Sequence, residues 1–486
     1  MINFDQIPYD WQVPGTYVET RPIYQDMGLV PFPAAALLIV QMLPTGTAVP
    51  GRVYEITRPD DAAALFGRGS VGQQMVRAFK RTNRTNRLFV IALADLGAGV
   101  KATKALTFTG AGAGTIPLYI QGRRVRYKAT SAMTPTQHAT AAVAAVNSDA
   151  DMPVVATSAA GVMTLTAKHA GEVGNHIDVR LRKTAEDVLP GTLAIAIATG
   201  TAGSGNPTVQ TALDAVVNAW HTDIAMPWDD AANMEAMAAW LVERYQAMGK
   251  KDGHVYVGHQ GTYGQLGTKG ALTNCPHITS IGFKAGYQSP WQWAASLCGL
   301  ATFHLTNDPA RQLRSLALVD IDAPDDVDCF TETERDLLLR QGISTWTRLV
   351  DGSVVLERVI TAYKVSNLGV SDPAWLDIMV PKTLTRIRYD WASYATLMYP
   401  RHKLAPDDSV AANNNDVVVT PKRMLGSWSA RCKLYERQAW IIDVARTIEQ
   451  SRFEIDASNK NRLNGQQRIN IIGNLMVLAA ALEFEA

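Results

Sequence analysis

His254-Val255-Tyr256-Val257 is a short strand-prone run, and Gly261-Thr262 opens a helical stretch over about 262–273. His277-Ile278-Thr279-Ser280-Ile281 is a second such run, and a helical pattern over about 290–303 follows it. Short buried strands alternating with helices imply right-handed crossovers and a parallel, layered sheet. The pattern extends upstream. Residues 222–226 read as a strand, and Asp229 to Met248 as a helix with Met234, Met237, Leu241, Tyr245 and Met248 on one face, ended by Gly249. Further back, Ala36–Gln41 and Arg87–Leu93 read as strands of the same sheet, separated by a short helix over 60–66 and a longer one over 70–81 capped by Ser70.

Between Lys101 and Thr199 the texture changes. Seven short strand candidates, Leu106–Thr109, Ile116–Gln121, Val125–Ala129, Val154–Ser158, Val162–Ala167, Ile177–Leu181 and Leu193–Ala198, are divided by glycine-rich turns and by one helix that opens at Thr134-Pro135. Gln121-Gly122 marks a hairpin. The segment 101–200 therefore reads as a β-rich domain inserted into the core, which comprises 34–100 and 201–330. In the last third, Thr331-Glu332-Thr333-Glu334 is a capping box and Asp351-Gly352 a hairpin signal between Ile343–Val350 and Val354–Thr361. A long helix over about 376–398, a polar loop with Asn413-Asn414-Asn415 and a helix from Thr420-Pro421 complete an α+β C-terminal domain, 331–469.

The two ends are the unusual part. Residues 1–33 carry Pro8, Pro14, Pro22, Pro31 and Pro33, which forbid a helix and favour an extended arm. The other end, Leu475 to Phe484, is apolar and strand-like without a hairpin partner. Strand-prone ends must find a sheet on their own chain or on another. Val13, Pro14, Gly15, Tyr17 and Val18, with Leu475, Val477, Leu478, Leu482 and Phe484, are the expected contacts between copies.

The 486 residues are 47% hydrophobic with 46 Lys and Arg against 45 Asp and Glu. Near-neutrality speaks against a nucleic-acid wrapper and offers little repulsion to self-association. The longest apolar run, Ala34 to Leu43, is too short to span a bilayer, and no secretion signal is read at the N-terminus. Cys275, Cys298, Cys329 and Cys432 are scattered without a C-x-x-C pair, as expected of reduced thiols rather than a metal or redox site. No phosphate loop, zinc helix or nucleophile elbow occurs. Gly110-Ala111-Gly112-Ala113-Gly114 has neither the lysine nor the spacing of a nucleotide fingerprint and reads as a turn. His259-Gln260-Gly261-Thr262 has the look of a subtilase histidine loop, but no serine stands in a Gly-Thr-Ser context, leaving a base without its nucleophile. Arg77, Lys80, Arg81, Arg84 and Arg87 cluster without an acid among them, either as a contact for an anionic surface or as a solvated helix end.

Five stretches stand in order along the chain: Pro14-Gly15-Thr16-Tyr17-Val18-Glu19, Ala62 to Ser70 with its Leu65-Phe66-Gly67, Glu357-Arg358-Val359-Ile360-Thr361-Ala362-Tyr363, Asp372 to Ile378, and Asn459-Lys460-Asn461-Arg462-Leu463. Together they resemble the sheath protein of contractile phage tails of the Mu-like myophage type. The resemblance implies an α/β core of subtilisin-like layering without catalytic residues, an inserted β-rich outer domain, an α+β C-terminal domain facing the tube, and linking arms at 1–33 and 470–486. It implies a structural subunit without cofactor or metal, which stacks as six-fold rings around an inner tail tube and contracts to drive the tube through the host envelope. The implied partners are other copies, the tail tube protein, and baseplate and tail terminator proteins, with no nucleic acid and no membrane insertion. The implied place is the virion tail, assembled in the host cytoplasm. Lys382, Arg386, Arg388, Arg401 and Lys403 are candidates for the tube contact or for ordinary solvation. The competing readings are an α/β hydrolase on a subtilase-like core and a non-contractile virion assembly protein.

Overall fold

A computed structural model describes residues 12–18, 28–413, 415 and 417–485. Pro8, Glu19, Pro22 and Asn414 lie outside the described residues. The chain divides into a larger unit, 33–388 with 439–442 and 470–486, and a smaller one, 1–32 with 389–438 and 443–469.

The larger unit is built on a nine-stranded sheet. Its six central strands, Arg87–Ala94, Ala35–Met42, Asp223–Ala225, His254–Gln260, Ile278–Phe283 and Ile343–Arg348, run parallel in that spatial order. Every residue of Ala35–Met42 is buried, which is why these strands read as continuous apolar runs rather than alternating ones. Antiparallel strands finish each side: Val53–Glu55 beside Arg87–Ala94, and Ser353–Arg358 then Ala317–Asp322 beyond Ile343–Arg348.

The helix Pro290–Asn307 packs on this sheet with Trp291, Trp293, Leu297 and Cys298 buried, and Trp293 stacks on Phe283 at 4.5 Å. Gly299 lets the helix Val71–Thr82 lie close against it. A Cβ there would stand 2.3 Å from Thr82 Oγ1 and 2.9 Å from the Phe79 carbonyl. The bare carbonyl of Gly299 instead accepts from Asn83 Nδ2 at 3.0 Å, satisfying the C-cap side chain.

Residues 101–199 form two sheets separate from the nine-stranded one. One is four-stranded and antiparallel, in the order Ala194–Thr199, Lys101–Thr109, Val162–Ala170, Val154–Ala159. The other joins Arg123–Ala129, Gly114–Ile120 and Val179–Arg180. The turn at Gln121 and Gly122 has φ of 51° and 75°, the left-handed pair a two-residue hairpin of matching twist requires. Helix Pro135–Asn147 starts with the full capping box of Thr134 and Gln137.

The expected break at 330/331 is corrected. The hairpin Ile343–Arg348/Ser353–Arg358 is not a separate C-terminal element but continues the large sheet. Ser280 pairs with Ile343 and Ile281 with Ser344 in parallel, and Trp346 Nε1 donates to the Gly282 carbonyl at 3.1 Å. The four residues from Ile343 to Trp346 are all buried, the pattern of an interior strand rather than of a one-faced hairpin. The boundary between units instead falls inside the helix Met379–Met398.

The smaller unit holds the helices Pro421–Arg437 and Val444–Glu449 and the hairpin Arg452–Ile455/Leu463–Gln466. Trp391 packs against Trp428 at 5.1 Å and against Phe453 at 6.3 Å.

Candidate functional site

A buried histidine relay lies in the large sheet. His259, near the C-terminal end of His254–Gln260, is fully buried. Its Nδ1 lies 3.0 Å from Asp229 Oδ2 and its Nε2 2.9 Å from Ser280 Oγ. Sequence reasoning left His259 without a hydroxyl partner. The partner stands on the adjacent parallel strand, Ile278–Phe283, where a search for a Gly-Thr-Ser motif cannot find it. Burial alone would raise the Asp229 carboxyl. The His259 hydrogen bond and the charges of His259, Lys269 and His176 outweigh it and hold the group well below the usual carboxylate range. Lys269 Nζ sits 3.1 Å from Asp229 Oδ1.

Three groups in acid, base and hydroxyl order are not an active site by geometry alone, because a nucleophile must also meet its substrate. Ser280 is 2% exposed and both of its strand neighbours are paired, so the relay joins two strands in the interior. The cysteines supply no alternative nucleophile. Burial pushes the Cys275 thiol up to about 11 and the Cys432 thiol up to about 12, away from the reactive thiolate. Ser280→Ala is expected to lower unfolding free energy by about 1–3 kcal/mol, the cost of stranding a buried hydrogen-bonding group. Urea denaturation of the purified variant measures this. Stability equal to that of the parent chain would mean that the relay carries no structural load.

The arms are where the surface departs from that of an ordinary soluble protein. In the N-terminal one, Val13 and Val18 are exposed and Tyr17 half-exposed, with no strand assigned over 12–18. Tyr17 folds back so that its hydroxyl donates to the Val13 carbonyl at 3.3 Å. Gly15 permits this fold, since a Cβ there would meet the Tyr17 hydroxyl at 2.9 Å. Pro14 and Gly15 are exposed as well.

The root of this arm is fixed in the smaller unit. The Val30 amide donates to Asp390 Oδ1 at 2.8 Å, and Arg431 Nη1 donates to the Gly28 carbonyl at 3.1 Å. Asp390 and Arg431 are buried and paired, and the Tyr435 hydroxyl donates to Asp390 Oδ2 at 2.7 Å. The sequence reading missed this anchor. Its one signal was an acid, Asp390, beside the apolar Ile387 and Trp391 on an amphipathic helix.

At the other end, Leu475, Val477, Leu478, Leu482 and Phe484 are all between 69% and 96% exposed, and none belongs to a strand. Single apolar side chains on a surface are unremarkable, whereas a contiguous run of them is the pattern of an interaction site. The expected arm 470–486 is shortened at its base. Asn470–Ile471 pairs antiparallel with Ile441–Ile442. Asn474 Nδ2 donates to the Ala310 carbonyl at 3.0 Å, Gln312 Nε2 to the Leu475 carbonyl at 3.1 Å, and Arg314 Nη1 to the Met476 carbonyl at 3.0 Å. These polar side chains hold the base down, and the tail from Val477 onward has no such tether among the described residues.

Of the basic residues considered for a tube contact, three are engaged inside the larger unit. Lys382 Nζ lies 2.6 Å from Asp223 Oδ1 and donates to the Thr222 carbonyl at 3.0 Å. Arg388 donates to the Tyr245 and Gln246 carbonyls and pairs with Asp252 at 3.2 Å. The Arg386 guanidinium lies 5.6 Å from the Trp440 ring centre. Arg401 and Lys403 are exposed.

Comparison with known proteins gives a consistent picture. Residues 202–362 match the family model of the phage tail sheath protein central domain. The Mu-like prophage FluMu tail sheath protein of Haemophilus influenzae is 30% identical over 489 residues, 99% of each chain. Among solved structures, the sheath tail protein of Desulfitobacterium hafniense aligns with a TM-score of 0.50 at 13% identity, over 94% of this chain and 100% of that one. The PVC sheath complex of an extracellular contractile injection system, in its contracted state, aligns with a TM-score of 0.51 at 8% identity, over 97% of each chain. At such identities the two structures speak for the fold alone.

Proposed function

This chain belongs to the phage tail sheath family and is a structural subunit of a contractile tail rather than an enzyme; from that premise we propose that copies of it stack as six-fold rings around an inner tail tube and shorten to drive the tube through a host envelope. The observation that carries the reading is the tail from Val477 to Phe484, apolar, exposed and unpaired in the single chain. Strand addition to a neighbouring copy buries those side chains and supplies main-chain hydrogen bonds with little demand on sequence. Alternate residues such as Leu482 and Phe484 share one face of an extended chain, so one face seats and the other stays open. The N-terminal arm, rooted at Asp390 and Arg431, makes the second link. Contacts between copies that do not close on themselves generate a helix.

The core is read as a subtilisin-like layered sheet whose histidine relay serves packing. No phosphate loop is visible, so contraction draws on a difference in subunit packing between two states. A few kcal/mol per subunit, summed over many copies, makes such a switch one-way. The inner-tube contact is placed in the C-terminal third, where Arg401 and Lys403 keep exposed charge. Baseplate and tail terminator proteins are the partners at the two ends, and assembly takes place in the host cytoplasm before the sheath joins the virion tail.

Electron microscopy of the purified chain in negative stain tests the reading. Tubes or stacked rings of uniform width are expected. A persistently monomeric sample with both termini intact, verified by mass spectrometry, would overturn it.

A further inference from the structure

Arg77, Lys80, Arg81 and Arg84 recur at the i, i+3, i+4, i+7 spacing that puts residues on one helix face. The helix Val71–Thr82 and the turn after it carry them, and the loop of Thr57 to Asp60 stands opposite. Together they enclose a pocket of 390 Å3 lined by five cations, Arg58, Arg77, Lys80, Arg81 and Arg84, against the one carboxylate of Asp60.

Three of the cations are braced at the rim. Arg58 pairs with Asp61 at 3.0 Å, Arg77 with Asp151 at 3.5 Å and Arg81 with Asp320 at 3.1 Å. A guanidinium has five N–H donors, so each braced group is oriented with donors to spare. Lys80 differs from the others. As a residue it is 7% exposed, its side chain lines the pocket, and its ammonium has no hydrogen-bond or ion-pair partner among the described residues. Glu55, the nearest acid to act on it, is engaged by Arg87 at 2.8 and 3.1 Å. Arg84 is exposed and likewise has no partner among the described residues. Partial burial lowers the Lys80 ammonium from its usual value, and a partly desolvated ammonium without an ion-pair partner is stabilised by an anion that comes to it.

We propose that this pocket binds an oxyanion carrying two or more charged groups, of the diphosphate type, held between Lys80 and Arg84 with Arg77 and Arg81 at its sides. Guanidinium groups grip such anions through paired N–H donors, and the lysine supplies a point charge at the pocket floor. The concave shape favours a compact ligand over a flat partner surface. The same chemistry can be delivered from two sources: a free phosphorylated molecule, or acidic side chains of a neighbouring copy.

The test is calorimetric titration of the dispersed full-length chain with inorganic diphosphate at low ionic strength. Saturable binding at one site per chain is expected, weakening as salt rises. Arg84→Gln, at an exposed position that the fold does not need, should weaken it at least tenfold, and so should Lys80→Met. Lys80→Met should also melt no lower than the parent chain in the absence of ligand, since it removes an unpaired charge. Absence of saturable binding, or binding unchanged in Arg84→Gln, overturns the proposal. The titration is repeated on assembled tubes. Binding retained there shows that the pocket stays open to a free ligand in the assembly, and binding lost there but present on dispersed chains shows that a neighbouring copy covers it. Either result supports the oxyanion site.

Discussion

Removing residues 477–486 leaves a chain that folds and melts like the intact one but forms no tubes. The cut falls beyond the last tether, where Arg314 holds the Met476 carbonyl, so no hydrogen bond found among the described residues is lost. Val477, Leu478, Leu482 and Phe484 are 79% exposed or more, so folding gains little from them. Their value lies in a second copy, where each fully buried side chain contributes about 1.5–3 kcal/mol. Losing four such side chains per link is enough to abolish association under any practical concentration. Sedimentation and negative-stain imaging measure the outcome, with a thermal melt to establish folding. Tubes of normal width from the truncated chain would show that the tail is not a link. A cut at 470 is a poorer experiment, because it also removes the pairing of Asn470–Ile471 with Ile441–Ile442.

The second large effect is expected at Asp390. Asp390→Ala removes the acceptor shared by the Val30 amide, the Arg431 guanidinium and the Tyr435 hydroxyl. Arg431 is 1% exposed and would be left as a buried charge. Breaking one side of such a pair costs about 3–5 kcal/mol, comparable with the whole stability of a small unit. Urea denaturation followed by tryptophan fluorescence reports it directly, since Trp391 and Trp428 pack together there. The double change Asp390→Ala with Arg431→Met should recover most of the loss. If Asp390→Ala alone unfolds at the parent urea concentration, the anchor is not what holds the smaller unit and the root of its arm.

What the sequence disclosed followed from local chemistry. The Ser70 cap, the helix start at Thr134-Pro135, the capping box at Thr331, the hairpin turn at Gln121-Gly122 and the buried runs at 36–41 and 254–257 are all set by residues within a few positions of one another. What it concealed depends on distant pairing. The strand Ala317–Asp322 has an irregular register and alternates poorly, so neither period stands out. The hairpin after Gly342 is a strong local signal, but its membership of the large sheet rests on Ser280 and Ile281 meeting Ile343 and Ser344 across more than sixty residues of chain. The candidate site divides in the same way. Exposure of the arms was legible because apolar ends lacked a sequence neighbour. The partners of His259 and Asp390 were not, because Ser280 and Arg431 reach them only through the fold.

The two margins of the nine-stranded sheet bear on accuracy in a crowded assembly. One is Val53–Glu55, three residues long and ending in an acid gripped by Arg87. The other is Ala317–Asp322, broken by a register shift, with Asp320 at a φ of 62° and ion-paired to Arg81. Short, charged or kinked margins refuse a visiting strand. A molecule that carries sticky tails would otherwise offer its own broadest sheet as a decoy, and neighbours would be captured in the wrong place. If the tails link copies as proposed, closed margins leave them no place to pair on this sheet, and the accuracy of growth would rest on where pairing is denied.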